Sequence, residues 1–122
     1  APEMIYMPFK YDVHTDHQVV SKAVMSSSKW FRSHSIRQIK MYETLSETNF
    51  NFSENNDFNP NVFVEITKYL EKKIEICKCY ATEFRKHPFP RSEESIRSLA
   101  KLRGSQSGFE AAESFKLVFE RN

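Results

Sequence analysis

Two histidines and two aspartates fall within one short stretch, Tyr11-Asp12-Val13-His14-Thr15-Asp16-His17. A neutral imidazole is a good ligand for zinc, and histidine is the usual proton carrier near neutral pH. A carboxylate beside a histidine can orient the ring and raise its basicity. The stretch can therefore supply one metal ligand, one acid or oxyanion partner and one orienting carboxylate. It falls short of a whole centre, because a catalytic zinc takes three protein ligands and keeps one position for water. Spacing alone is a weak signal. The competing reading is that these are ordinary polar residues capping a helix.

The flanking pattern positions this cluster. Residues 3–9 form a near-continuous apolar run closed by Pro8, which predicts a short buried strand. The cluster then lies at the strand's carboxyl end, where open α/β sheets build their sites. From His17 the spacing of Val20, Ala23, Val24, Trp30 and Phe31 predicts a helix, with Asp16 as its N-cap. Residues 36–43 alternate, with Ile39 and Met41 on one side, and predict a strand. Residues 44–59 read as a long loop whose Phe50, Phe52 and Phe58 either line a site or pin the loop down.

Residues 62–66 predict a second short strand, and Thr67 is positioned to cap a helix over 67–86. Ser92 caps another from Glu93 to about Ser105, Gly104 and Gly108 bracket a turn, and a closing strand lies within 110–121. The whole reads as one α/β domain over residues 1–122 with no internal boundary.

Composition narrows the function classes. The chain has 122 residues, 39% apolar and 28% charged, a globular profile. Its net charge of +2 gives no reason to expect nucleic acid. Two glycines are too few for a glycine-rich phosphate loop. No run approaches the roughly 20 apolar residues of a membrane span. Cys77 and Cys79 point about 200° apart on a helix, which disfavours a disulfide between them. Cys77 falls on the apolar stripe as a core thiol, which suits a reducing cytoplasm. His34 and His87 read as surface or turn residues. Position 1 is not methionine, and Ala1-Pro2-Glu3 lack a signal-peptide layout, so a processed or excised chain is expected.

Several segments together resemble the LmbE-like, or PIG-L-like, zinc-dependent N-deacetylases. Asp12-Val13-His14-Thr15-Asp16-His17 after its strand is similar to the family's His-x-Asp-His motif. Met41-Tyr42-Glu43 is similar to the next strand. Phe58 through Thr67, followed by Leu70-Glu71-Lys72-Lys73, resembles a strand-and-helix passage in which Glu65 stands where the family has Asp. Arg103-Gly104, Gly108 and Ala112-Glu113-Ser114-Phe115 resemble the closing segment.

The resemblance implies part of a three-layer, doubly wound Rossmann-like sheet. It implies a hydrolase that removes the acetyl group from an N-acetylglucosamine-type substrate with zinc-activated water. His17 would ligate Zn2+. His14 would face the substrate carbonyl, as oxyanion partner or as acid to the leaving amine, and Asp16 would orient His14. Tyr42 and Arg103 would meet substrate, and Glu43 and Glu113 also match family positions.

The family's first motif, His-Pro-Asp-Asp-Glu, does not occur here, since the lone His-Pro, His87-Pro88, continues as Phe89-Pro90. That motif supplies the other zinc ligands and the general base, and the N-terminal strands and helices go with it. The chain thus resembles a C-terminal part, expected to work with a missing N-terminal segment or another chain, or as an oligomer. The alternative is a catalytically incomplete binding or structural fragment without bound zinc.

Overall fold

The computed structural model describes residues 1–122. The elements run β1 (Met4–Pro8), α1 (Thr15–Ser27), β2 (Gln38–Tyr42), a 3-10 turn (Thr48–Phe50), β3 (Val62–Glu65), α2 (Leu70–Lys78), α3 (Glu93–Ser107) and β4 (Ala112–Glu120). This is a mixed α/β chain with three helices and a four-stranded sheet in the order β1-β2-β4-β3. β1 and β2 are parallel, the pair that a helical crossover requires, and α1 lies between them in sequence. β4 runs antiparallel to β2, with a bulge between Ile39 and Lys40. The chain forms two compact units, residues 1–62 with 115–122, and residues 63–114.

In the first unit the alternation predicted for β2 is borne out, since Ile39 and Met41 are buried and their neighbours are not. They join Met7, Phe9 and Ile36 in the core, with Ile5, Val24 and Phe58 packed against it. Phe58 meets Phe9 edge-on at 5.2 Å, so this phenylalanine pins the long loop, while Phe52 is 86% exposed.

α1 begins two residues earlier than the apolar spacing implies, and its N-cap is His14 rather than Asp16. Its orientation also differs from expectation. Val20, Trp30 and Phe31 are exposed, and the inward line is His17, Ser21, Val24 and Ser28. Ser21 is buried with its hydroxyl on Met7 Sδ. A polar attachment therefore sets the rotation of this helix, and apolar spacing cannot report it.

In the second unit α2 covers only part of 67–86. Thr67 does not cap it; its hydroxyl contacts Glu65 and accepts from the Ala111 N–H. Beyond Lys78 the bonds from Cys79 N–H to Ile76 O and Tyr80 N–H to Cys77 O skip only three residues, which tightens and ends the helix. Tyr80, on the same helical spacing as Cys77, lies exposed, and Cys77 is half-buried rather than a core thiol. Both cysteines are free. α3 has the expected Ser92 cap on the Ser95 N–H, but it runs through Gly104 to Ser107.

Arg97 on α3 holds Glu71 with two bonds, at 2.6 and 2.9 Å, and Glu93 at 3.1 Å. Bonds from Arg97 hold the Glu71 carboxyl below its ordinary 4.5, and Lys78 followed by Arg97 does the same for Glu93. A depressed carboxylate pKa adds stability that is fully present above the unfolded value and lost as pH falls through the folded one. Urea midpoints taken from pH 7 to pH 3 should therefore fall more steeply below about 4.5 for the natural chain than for Arg97→Gln. Parallel curves would show that these exposed pairs contribute nothing to folding.

Candidate functional site

The cluster spans the turn after β1 and the first residues of α1, all within the first unit. Asp12 is its centre and is fully buried. Its N–H donates to Phe9 O at 3.1 Å, and its carbonyl accepts from Gln18 Nε2 at 2.8 Å. Its carboxylate oxygens are divided between two partners. Oδ1 takes the Thr48 hydroxyl at 2.6 Å, and Oδ2 lies 2.7 Å from His17 Nδ1. Burial pushes the Asp12 carboxyl above its ordinary 3.8, against the opposing bonds from Thr48 and His17. A buried carboxylate is tolerated only when its oxygens are bonded in this way.

These bonds fix the protons on both imidazoles. An ionised Asp12 carboxylate only accepts, so a neutral His17 beside it carries its proton on Nδ1 and leaves Nε2 with a lone pair. The Asp16 backbone N–H, which only donates, lies 3.1 Å from His14 Nδ1. In its neutral form His14 therefore carries its proton on Nε2. The two rings stack with centroids 5.0 Å apart and planes 18° apart. One presents an acceptor nitrogen, the other a donor.

The site residues expected from sequence are placed as follows. His14 is exposed and His17 half-buried, side by side. Asp16 bonds His14 through its backbone amide, and its carboxylate lies in the first turn of α1, where the helix dipole favours negative charge. Tyr42 ends β2, and burial followed by the Asp12 charge raises its phenol above the ordinary 10.0. Glu43 follows it, half-buried.

Arg103 belongs to the second unit, where its guanidinium bonds Gln106 Oε1 at 2.9 Å. Glu113 pairs there with Lys73 at 2.7 Å, beside a cavity of about 440 Å3 that Val64, Ile66, Tyr69 and Cys77 also line.

The sequence places Asp12 in the cluster without giving it a role of its own, and Thr48 is not among the residues it singles out. Asp12 had a usable signal, a carboxylate five residues before a histidine across a strand-to-helix turn. Thr48 had none, lying 36 residues away in a polar loop.

No family model matches the chain, and no curated protein matches its sequence significantly. Nor is any group of three or more His, Cys, Asp or Glu placed to hold a metal ion. The Nδ1 of His17 is tied to a carboxylate in the manner of zinc-bound histidines, which leaves Nε2 as the nitrogen that could ligate. No helix is long and apolar enough to cross a membrane.

Proposed function

We propose that the chain is the C-terminal part of an LmbE-like zinc-dependent N-deacetylase with a Rossmann-like doubly wound sheet. It contributes one zinc ligand and one oxyanion donor to hydrolysis of an N-acetylglucosamine-type amide. The observation that carries this reading is the pair of stacked imidazoles whose hydrogen bonds favour opposite tautomers in their neutral forms. A ligand needs the free lone pair that His17 Nε2 has, and an oxyanion partner needs the N–H that His14 Nε2 has.

Of the two roles open to His14, its tautomer favours hydrogen-bond donation. A neutral imidazole would have to give up its last N–H proton to serve as an acid, whereas it donates a hydrogen bond at no such cost. Tyr42 ends the strand next to β1 and supplies a second donor, a hydroxyl, for substrate. A bound zinc would supply Lewis acidity and an activated water. Because three ligands are not assembled here, the remaining ligands and the general base come from another segment or chain. The surface suits such an arrangement. β1 is an edge strand with Met4 and Tyr6 exposed, and α1 presents Val19 and Val20 outward. Two free thiols suit a cytoplasmic protein.

The test is acetate release from N-acetylglucosamine with Zn2+, in the presence and absence of a polypeptide carrying the His-Pro-Asp-Asp-Glu motif. Release only when both polypeptides are present supports the reading. Absence of release from the folded pair, across free and glycosidically linked N-acetylglucosamine, would refute it.

A further inference from the structure

From the bonds around Asp12 we infer that Thr48 is a positioning residue, which sets the protonated nitrogen of His17 through the Asp12 carboxylate. Thr48 opens the 3-10 turn and is tied to Thr44 by two bonds, one through its backbone and one through its hydroxyl. The Thr48 N–H donates to Thr44 O at 2.9 Å, and the Thr44 N–H donates to Thr48 Oγ1 at 2.8 Å. With a lone pair of Oγ1 so engaged, the hydroxyl proton points to Asp12 Oδ1, 2.6 Å away. That bond fixes the plane of the carboxylate and turns Oδ2 toward His17 Nδ1.

The backbone on each side of Asp12 is held to the same loop. Asn51 Nδ2 donates to Tyr11 O at 2.8 Å, and the Val13 N–H reaches Glu47 O at 3.5 Å. Residues 47–51 thus form a bracket whose one contact with the carboxylate itself is the Thr48 hydroxyl.

Free histidine side chains favour the proton on Nε2, which would block the nitrogen proposed as ligand. The carboxylate reverses that preference, and the hydroxyl keeps the carboxylate turned the right way. The consequence for zinc rests on the deacetylase reading, whereas the consequence for the tautomer does not.

Ring-nitrogen NMR shifts of His17, recorded on the metal-free chain above the imidazole pKa, test the inference. The natural chain and Thr48→Ser should both show the Nδ1–H tautomer. Thr48→Val, nearly isosteric but without the hydroxyl, should shift the population toward Nε2–H. In the metal-loaded assembly, Thr48→Val should weaken zinc about 10-fold, and Thr48→Ser should restore it. A folded Thr48→Val that keeps the natural His17 shifts overturns the inference, as does an Nε2–H tautomer in the natural chain. Should Thr48→Val fail to fold, the natural chain decides. A Thr48 hydroxyl proton slow enough to observe in water supports the bond, and one in fast exchange overturns it. A changed tautomer with unchanged zinc affinity would keep the positioning role and remove the metal from it.

Discussion

Gly104→Ala should destabilise the chain by about 3 kcal/mol, the upper end of what overpacking costs. In an open helix interior the same change would add roughly 1 kcal/mol, because alanine is the better helix former. Space decides the sign. A Cβ at Gly104 would stand 2.4 Å from Phe109 O, 2.8 Å from Glu110 O and 2.9 Å from Glu110 C. All three are backbone atoms, so no side chain can swing aside.

The crowding arises from how α3 ends. Gly108 turns the chain at φ +83°, and the N–H groups of Gly108 and Phe109 both return to Gly104 O. The turn residues Phe109 and Glu110 are thereby laid against the last turn of the helix. Gly108→Ala is the useful contrast, since its Cβ meets nothing within 4 Å and only the left-handed backbone resists it, at about 1 kcal/mol. Urea unfolding of both variants checks the order. A Gly104→Ala chain at least as stable as the natural one would mean that residues 109–110 yield easily. On a total stability of roughly 5–15 kcal/mol the expected loss is large.

The same stretch shows what a sequence can and cannot reveal. Gly104 stood out as one of two glycines, but its place inside α3 was hidden, because close approach by residues 109–110 is tertiary information. β2 was legible because one buried sheet face imposes a period of two on Ile39 and Met41. α1 was legible as a helix and misleading as to its face. The apolar spacing advertises Val20 together with Trp30 and Phe31, which lie beyond the end of the helix, whereas the buried Asp12 draws His17 inward and carries Ser21 with it. α2 was overextended because Tyr80 and Phe84 continue a 3.6-residue spacing after the backbone has stopped following it. In the site, His14 and His17 declared themselves by type and spacing. The protons they carry depend on a backbone amide and on a threonine 36 residues from Asp12, which no local pattern encodes.

Those protons give the largest expected effect on activity. On the proposed deacetylase reading, His14→Asn in the zinc-loaded assembly should lower kcat by about 10²–10³-fold, the usual loss when one oxyanion donor is removed. Asparagine is chosen because His14 also caps α1, accepting the Asp16 N–H on Nδ1. Asparagine is among the best N-caps, so it keeps that bond while removing the imidazole N–H that would face the oxyanion. His14→Ala, which loses both, should add about 1 kcal/mol of destabilisation to the same fall in turnover. If capping is the whole purpose of His14, His14→Asn will match the natural protein in turnover and in urea midpoint, and the catalytic assignment fails. His17→Ala should behave differently, losing bound metal as well as activity, because the lone pair on Nε2 goes with the ring. Metal content measured beside turnover separates the two histidines: zinc kept and rate lost at position 14, zinc and rate lost together at position 17. Zinc retained at full occupancy in His17→Ala would remove that residue from the ligand set and leave Asp12 with no metal to serve.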